Sequence, residues 1–151
     1  MPLSDRSAQI SALYQEMILD HYRKPRNKGE IENADASVPM KNPLCGDEIT
    51  LHLRFGSDRI DEVSFSGRGC SISQASASMM TQLVKGRPLA EVETLRNRFR
   101  DMVMGDEAAA GDSALGSLRA LSGVARFPAR VKCALLAWNA LDTALEKRSS
   151  D

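Results

Sequence analysis

An alternation of apolar and polar residues between positions 48 and 66 constrains the fold of this chain more than any other feature. It runs through two stretches, which a turn containing glycine and aspartate separates at residues 56–59. Two alternating runs joined by such a loop predict an antiparallel hairpin with one buried face. Residues 38–40 predict a further strand ahead of the hairpin. The apolar members of the hairpin are Ile49, Leu51, Leu53, Phe55, Ile60, Val63 and Phe65.

The rest of the chain is dominated by apolar residues spaced three and four apart. This spacing predicts a first helix with an apolar stripe over residues 10–22, capped at Ser4 or Asp5 and stopped by Pro25. It also predicts helices over residues 71–85 and 88–104, and a last helix that starts at Pro128. Residues 106–124 are rich in Gly, Ala and Ser and predict a loop with short helical turns. Strands and helices that are segregated along the chain are typical of an α+β fold. We therefore expect a small antiparallel sheet of about three strands with helices packed on one face.

Composition narrows the classes of protein that fit. The 151 residues suit a single domain over 1–151. Equal numbers of basic and acidic residues, 20 of each, argue against nucleic-acid binding. No run of apolar residues is long enough to predict a membrane span, and the first residues do not resemble a secretory signal. We therefore expect a cytoplasmic protein, in a compartment where thiols stay reduced or bind metal.

The three cysteines are too few, and odd in number, for a disulfide framework. Cys45 lies in a Pro/Gly loop with the sequence NPLCGD, whereas Cys70 follows Gly-Arg-Gly at a predicted helix start, and Cys133 lies in the second turn of the last helix. The start of a helix favours a thiolate. Nearby cations do the same, and the cations closest in sequence are Arg68, Arg130 and Lys132.

Together with Asp47, the cysteines form a plausible ligand set. Three thiolates and one carboxylate suit a tetrahedral zinc ion, and three thiolates also suit an iron–sulfur cluster. No CxxC spacing is present, so each cysteine taken alone is better explained as a small buried apolar residue. The histidines are interpreted structurally, with His52 predicted on the surface and His21 at the end of the first helix.

Four segments, at residues 13–29, 42–47, 67–80 and 130–138, give this chain its resemblance to a known family. They resemble the first helix and loop, and then the three successive cysteine motifs, of the NifU/IscU-type iron–sulfur cluster assembly proteins. Within that family the chain resembles the SufU branch, for two reasons. Lys132 stands where IscU scaffolds have a histidine before the third cysteine, and a segment at about 106–127 is inserted where IscU proteins are shorter.

This resemblance implies a function and a site. SufU-type proteins hold Zn²⁺ through three cysteines and an aspartate, which here are Cys45, Asp47, Cys70 and Cys133. They accept persulfide sulfur from a SufS-type cysteine desulfurase, and the resemblance implies Cys45 as the acceptor. It also implies downstream SUF scaffold proteins as further partners. The predicted activity is therefore that of a zinc-dependent sulfurtransferase acting with a desulfurase, with Arg68, Arg130 and Lys132 offsetting the negative charge of the site.

Two other functions remain open on the sequence. The same four ligands suit a scaffold that carries a transient [2Fe–2S] cluster. A structural zinc domain that works only as an interaction module is the alternative from a different class.

Overall fold

The computed structural model describes the backbone of residues 3–150 and the side chains of residues 9–148. Across this part of the chain, β1 (Ala36–Asn42), β2 (Asp47–Gly56) and β3 (Arg59–Arg68) form an antiparallel sheet in the order β1-β2-β3. The predicted hairpin is β2–β3, in which Leu51 pairs with Phe65 and Leu53 with Val63. The further strand predicted around residues 38–40 is β1.

The helices come before and after the sheet in sequence. Helix α1 spans Leu3–Arg23, α2 spans Ser71–Val84, α3 spans Leu89–Val103, and the short α4 spans Glu107–Ala110. A 3-10 segment then covers Ser113–Arg126, and α5 covers Pro128–Ser150. This arrangement confirms the predicted α+β fold. No helix in the described residues has the length and apolar character that crossing a membrane requires.

The buried core lies between one face of the sheet and helices α2 and α5. Leu51, Leu53 and Phe65 on the sheet are fully buried, as is Trp138 on α5, whose ring stacks on Phe99 of α3 at 5.3 Å. Because α2 and α5 both begin at one end of the sheet, their first turns come to lie beside the β1–β2 turn. This is the end of the fold at which the three cysteines lie.

Two predictions about local structure are corrected. Residues 106–124 are more helical than predicted, since α4 and the 3-10 segment occupy most of them, and Leu115, Leu118 and Leu121 are buried in the core. His52 does point away from Leu51 and Leu53, but it is 7% exposed and not a surface residue. Its two ring nitrogens lie 3.0 Å from the hydroxyls of Ser37 and Ser66.

The loop after α1 is held against α2 by hydroxyl groups. Ser78 Oγ accepts a hydrogen bond from the Arg26 N–H at 2.8 Å and lies 2.8 Å from His21 Nδ1. Burial lowers the pKa of His21 below its usual value. His21 and the backbone at Arg26 are therefore tied to the packing of α1 and its following loop against α2.

Candidate metal centre

Four side chains predicted as ligands come from four places at one end of the sheet. Cys45 lies in the turn between β1 and β2, and Asp47 is the first residue of β2. Cys70 is the N-cap of α2, and Cys133 lies near the start of α5. The pairing of Glu48 with Arg68 brings the end of β3 beside the start of β2, and so brings Cys70 beside Asp47.

Three of these side chains form a group that can hold a metal ion. The ligand atoms of Cys45, Asp47 and Cys133 all lie within 4.8 Å of one another, and the two sulfur atoms are 3.3 Å apart. Cys70 borders this group, with its Sγ 3.8 Å from Asp47 Oδ2. Asp47 and Cys133 are buried, Cys70 is half-buried and Cys45 is exposed.

The chemistry of this donor set fits a zinc ion, and three of the four donor atoms already lie within 4.8 Å of one another. Thiolates bound at about 2.3 Å to a tetrahedral centre lie about 3.8 Å apart, and a carboxylate oxygen lies slightly closer. The two sulfur atoms of Cys45 and Cys133, 3.3 Å apart, would separate by about 0.5 Å on binding zinc. Cys70 Sγ, 3.8 Å from Asp47 Oδ2, would move slightly closer to that oxygen. Three soft sulfur donors with a single carboxylate also favour zinc over calcium or magnesium, which prefer oxygen ligands.

The carboxylate of Asp47 is oriented by the backbone at the start of α2. Its Oδ1 accepts a hydrogen bond from the Cys70 N–H at 2.8 Å, which leaves Oδ2 directed toward Cys70 Sγ. The backbone comes this close because residue 69 is a glycine. A Cβ atom at Gly69 would collide with Asp47 Oδ1 and lie 2.6 Å from Ser73 Oγ. Sequence reasoning recognised this glycine in a motif but did not connect it with Asp47.

We expect the substitution Gly69→Ala to weaken zinc binding by at least about 10-fold, because the added methyl group must push the Asp47 carboxylate out of place. Competition with a chromogenic chelator measures this affinity. Gly123→Ala is the matched control, since a Cβ at Gly123 meets nothing within 4 Å. Equal zinc affinity in both variants would show that the orientation of Asp47 does not depend on Gly69.

The buried position of Cys133 opposes the thiolate that its place near a helix start favours. The sequence predicted a thiolate there, favoured by the helix start and by Arg130 and Lys132. Burial instead raises the pKa of the Cys133 thiol well above its ordinary value, and hydrogen bonding with Cys45, Asp47 and Cys70 raises it further. Metal binding at this thiol must therefore displace its proton.

The three cations predicted to offset the site's charge all lie on the surface. Arg68, Arg130 and Lys132 are exposed, and among the described residues none of them forms a hydrogen bond or an ion pair with the thiols. Their contribution to the site remains a prediction. Beside the site, a cavity of about 850 Å³ lies between α1, the 3-10 segment and the starts of α2 and α5. Its lining includes Tyr14, Ile72, Arg126, Phe127 and Arg130.

Comparisons with known proteins agree with the resemblance inferred from the four segments. The family model described as the NifU-like N terminal domain matches residues 13–147. The zinc-dependent sulfurtransferase SufU of Bacillus subtilis (strain 168) is 46% identical over 142 residues, which are 93% of this chain and 95% of that protein. The iron–sulfur cluster assembly scaffold protein IscU of Streptococcus pyogenes serotype M1 is 42% identical over 144 residues, covering 95% of this chain and 89% of that protein.

A solved structure of a similar protein has the same fold as this chain. A candidate iron–sulfur cluster assembly scaffold for the SUF system from Fervidobacterium islandicum AW-1 is 37% identical, with a TM-score of 0.78. The alignment covers 85% of this chain and 93% of that one. The predicted family and the predicted fold are therefore both confirmed.

Proposed function

Because this chain belongs to the family of NifU-like N-terminal domains, we propose that it is a zinc-bound sulfur acceptor and carrier in iron–sulfur cluster assembly. Its sulfur donor would be a cysteine desulfurase of the SufS type. The observation that carries this proposal is the contrast between an exposed Cys45 on a turn and a buried Cys133 only 3.3 Å away from it. Such a site presents the Cys45 thiol to a partner and keeps the Cys133 thiol inside.

Cys45, Asp47, Cys70 and Cys133 would hold the zinc ion. When bound, Zn²⁺ keeps its thiol ligands deprotonated at neutral pH and limits their oxidation. The chain itself contributes the geometry: the Cys70 N–H fixes Asp47, and the β1–β2 turn presents Cys45 to the solvent. Because Cys45 is exposed on a turn whereas Asp47 and Cys133 are buried, Cys45 is the ligand best placed to meet a donor.

The transfer step is a thiol–persulfide exchange. Cys45 Sγ, as a thiolate, attacks the outer sulfur of a persulfide on the donor's cysteine. A sulfur–sulfur bond forms on Cys45, the sulfur–sulfur bond of the donor breaks, and the donor's cysteine leaves with the electron pair as a thiolate. The proton on the outer sulfur moves to Cys45 together with that sulfur. The exchange therefore needs no external oxidant or reductant.

The surface around Cys45 suits contact with a second protein. Leu44 and Phe127 are 71% and 60% exposed, and they lie next in sequence to the Cys45 turn and to the start of α5. Large apolar side chains exposed beside a reactive group are typical of a docking face. Downstream SUF scaffold proteins are the expected sulfur recipients, and the cytoplasm is the expected compartment.

We propose that residues 1–151 form one domain with an insertion at about 106–127. A continuous buried cluster supports this organisation, since Leu115, Leu118 and Leu121 of that segment belong to the same core as Trp138 and Phe65. The insertion therefore contributes to the core of the domain.

A [2Fe–2S] scaffold is the second candidate function. The 42% identity with a protein named as a cluster assembly scaffold favours this function. The ligands do not separate the two candidates, since both functions need the same four residues. Metal analysis of the protein purified without oxygen separates the two. About one zinc ion per chain supports the sulfur carrier, whereas labile iron and sulfide that transfer to an apo-ferredoxin support the scaffold.

A further inference from the structure

We infer that Asn42 is a positioning residue of the candidate metal centre, whose side-chain amide ties the Cys45 turn to Cys133. The inference rests on the proposed function, because it concerns the same thiols. Asn42 is the last residue of β1, pairs with Asp47 across the sheet and is only 6% exposed. A buried amide at the edge of a thiol cluster needs partners for both its oxygen and its nitrogen.

The oxygen of this amide organises the turn that carries Cys45. Asn42 Oδ1 accepts a hydrogen bond from the Leu44 N–H at 3.3 Å, and the main-chain carbonyl of Asn42 accepts one from the Cys45 N–H at 3.2 Å. Pro43 lies at the second position of this turn, where its fixed φ is favourable. Asn42 thus sets the position of the Cys45 backbone through two separate contacts.

The nitrogen of the amide faces the other side of the cluster. Asn42 Nδ2 lies 3.7 Å from Cys133 Sγ, a distance at which an N–H donates to the large sulfur atom. Cys45 Sγ lies 3.3 Å and the carbonyl oxygen of Ala129 lies 3.5 Å from that sulfur, and Asp47 and Cys70 also border it. Neither a carbonyl oxygen nor an ionised carboxylate can donate a hydrogen bond. Asn42 is therefore the amide donor positioned to stabilise negative charge on Cys133.

The Asn42 side chain therefore links the turn that carries Cys45 to the helix that carries Cys133. These two cysteines are 88 residues apart in sequence. A hydrogen bond donated to a metal-bound thiolate fixes its orientation and lowers the charge on its sulfur. While Asn42 holds this contact, its oxygen keeps the turn closed and Cys45 beside Cys133. Loss of the Asn42 N–H donor should lower the affinity of the site for its metal and release the Cys45 turn from Cys133.

Two variants separate the hydrogen bond from other effects of the substitution. Asn42→Asp keeps an oxygen for the Leu44 N–H but removes the donor to sulfur and adds a charge. Asn42→Ser also keeps an oxygen for the turn without adding a charge, and its hydroxyl, which ends one bond short of the Asn42 amide nitrogen, draws the donor away from Cys133 Sγ. Asn139→Asp makes the same Asn-to-Asp exchange on an exposed position of α5 and is the matched control. Circular dichroism establishes that each variant is folded, and Asn42→Ser is used alone if Asn42→Asp does not fold.

The experiment measures Zn²⁺ affinity by chelator competition and the absorption of the Co²⁺-substituted protein. Both Asn42 variants should bind zinc about 10–100-fold more weakly than the wild type. Their sulfur-to-cobalt charge-transfer band should move to longer wavelength, because a thiolate without its donor gives up electrons more readily. A role of Asn42 in folding alone would not move that band.

The possible outcomes distinguish this inference from the function on which it rests. An unchanged band in both Asn42 variants overturns the inference, and so does a shift in Asn42→Asp alone, which would reflect the added charge. A shift of the same size in Asn139→Asp overturns it as well. A wild-type protein that binds neither Zn²⁺ nor Co²⁺ overturns the proposed function, and the inference falls with it.

Discussion

The substitution Cys45→Ser is expected to abolish persulfide formation on this protein while leaving it folded. Cys45 is exposed on a turn, so replacing its sulfur with oxygen alters the contact with Cys133 and leaves the apolar core intact. A serine hydroxyl cannot act as the sulfur nucleophile that the exchange requires. Cys133, the neighbouring thiol, is fully buried and is not accessible to a persulfide held by another protein. Mass spectrometry of the protein after incubation with a cysteine desulfurase and cysteine measures the result.

Two control samples distinguish loss of the acceptor thiol from loss of the metal. Cys70→Ser removes a proposed ligand but leaves the Cys45 thiol exposed, so it should retain measurable persulfide. Wild-type protein stripped of metal shows how much sulfur uptake depends on zinc itself. Full persulfidation of Cys45→Ser, with the label on Cys70 or Cys133 after digestion, would show that Cys45 is not the acceptor.

The substitution Asp47→Ala is expected to have the second large effect, on the metal and on stability. Asp47 is fully buried, and its carboxylate both accepts the Cys70 N–H and faces the thiols. We expect zinc affinity to fall by at least about 10-fold. The unpaired N–H of Cys70 should lower the free energy of unfolding of the stripped protein by about 1–3 kcal/mol. Chelator competition and urea unfolding measure the two quantities.

Asp101→Ala provides the control, since Asp101 is an exposed aspartate on α3 and lies outside the site. Asp47→Asn refines the comparison, because an amide oxygen still accepts the Cys70 N–H but is a neutral ligand. We therefore expect Asp47→Asn to restore most of the stability and little of the zinc affinity. Wild-type zinc affinity together with a wild-type rate of sulfur uptake in Asp47→Ala would remove Asp47 from the site.

The fold was predictable where side-chain periodicity is strong. The alternation around Leu51 and Phe65 defines a strand pair with one buried face, and Pro128 marks the start of α5 correctly. The 3-10 segment was missed in part because its chain is interrupted at Gly116, where φ is +55°. Glycine and serine there weaken the spacing of the leucines that nevertheless reach the core. His52 was misplaced because two serines on neighbouring strands bury it, and sequence spacing does not show those contacts.

The sequence was enough to name the candidate residues of the site. It was not enough to predict how deeply each one is buried or what it contacts. The motifs pointed to the cysteines and to Asp47, which the structure brings to one end of the sheet. Local sequence did not show that Cys133 is buried, since its neighbours Arg130 and Lys132 extend into solvent whereas the thiol itself does not. Asn42 was missed as well, since its contact with Cys133 joins parts of the chain 91 residues apart. The signal was present in the NPLCGD motif, where asparagine before proline is a common turn residue.

A desulfurase assay on a single preparation of this protein, before and after removal of its metal, tests the proposed sulfur transfer. Zinc content is measured on the same samples, and circular dichroism reports whether the stripped protein is folded. We expect about one zinc ion per chain, stimulation of the desulfurase by the loaded protein, and loss of that stimulation in a stripped protein that is still folded. Equal stimulation with and without zinc would contradict zinc-dependent sulfur transfer, and collapse of the stripped protein would favour a structural zinc domain.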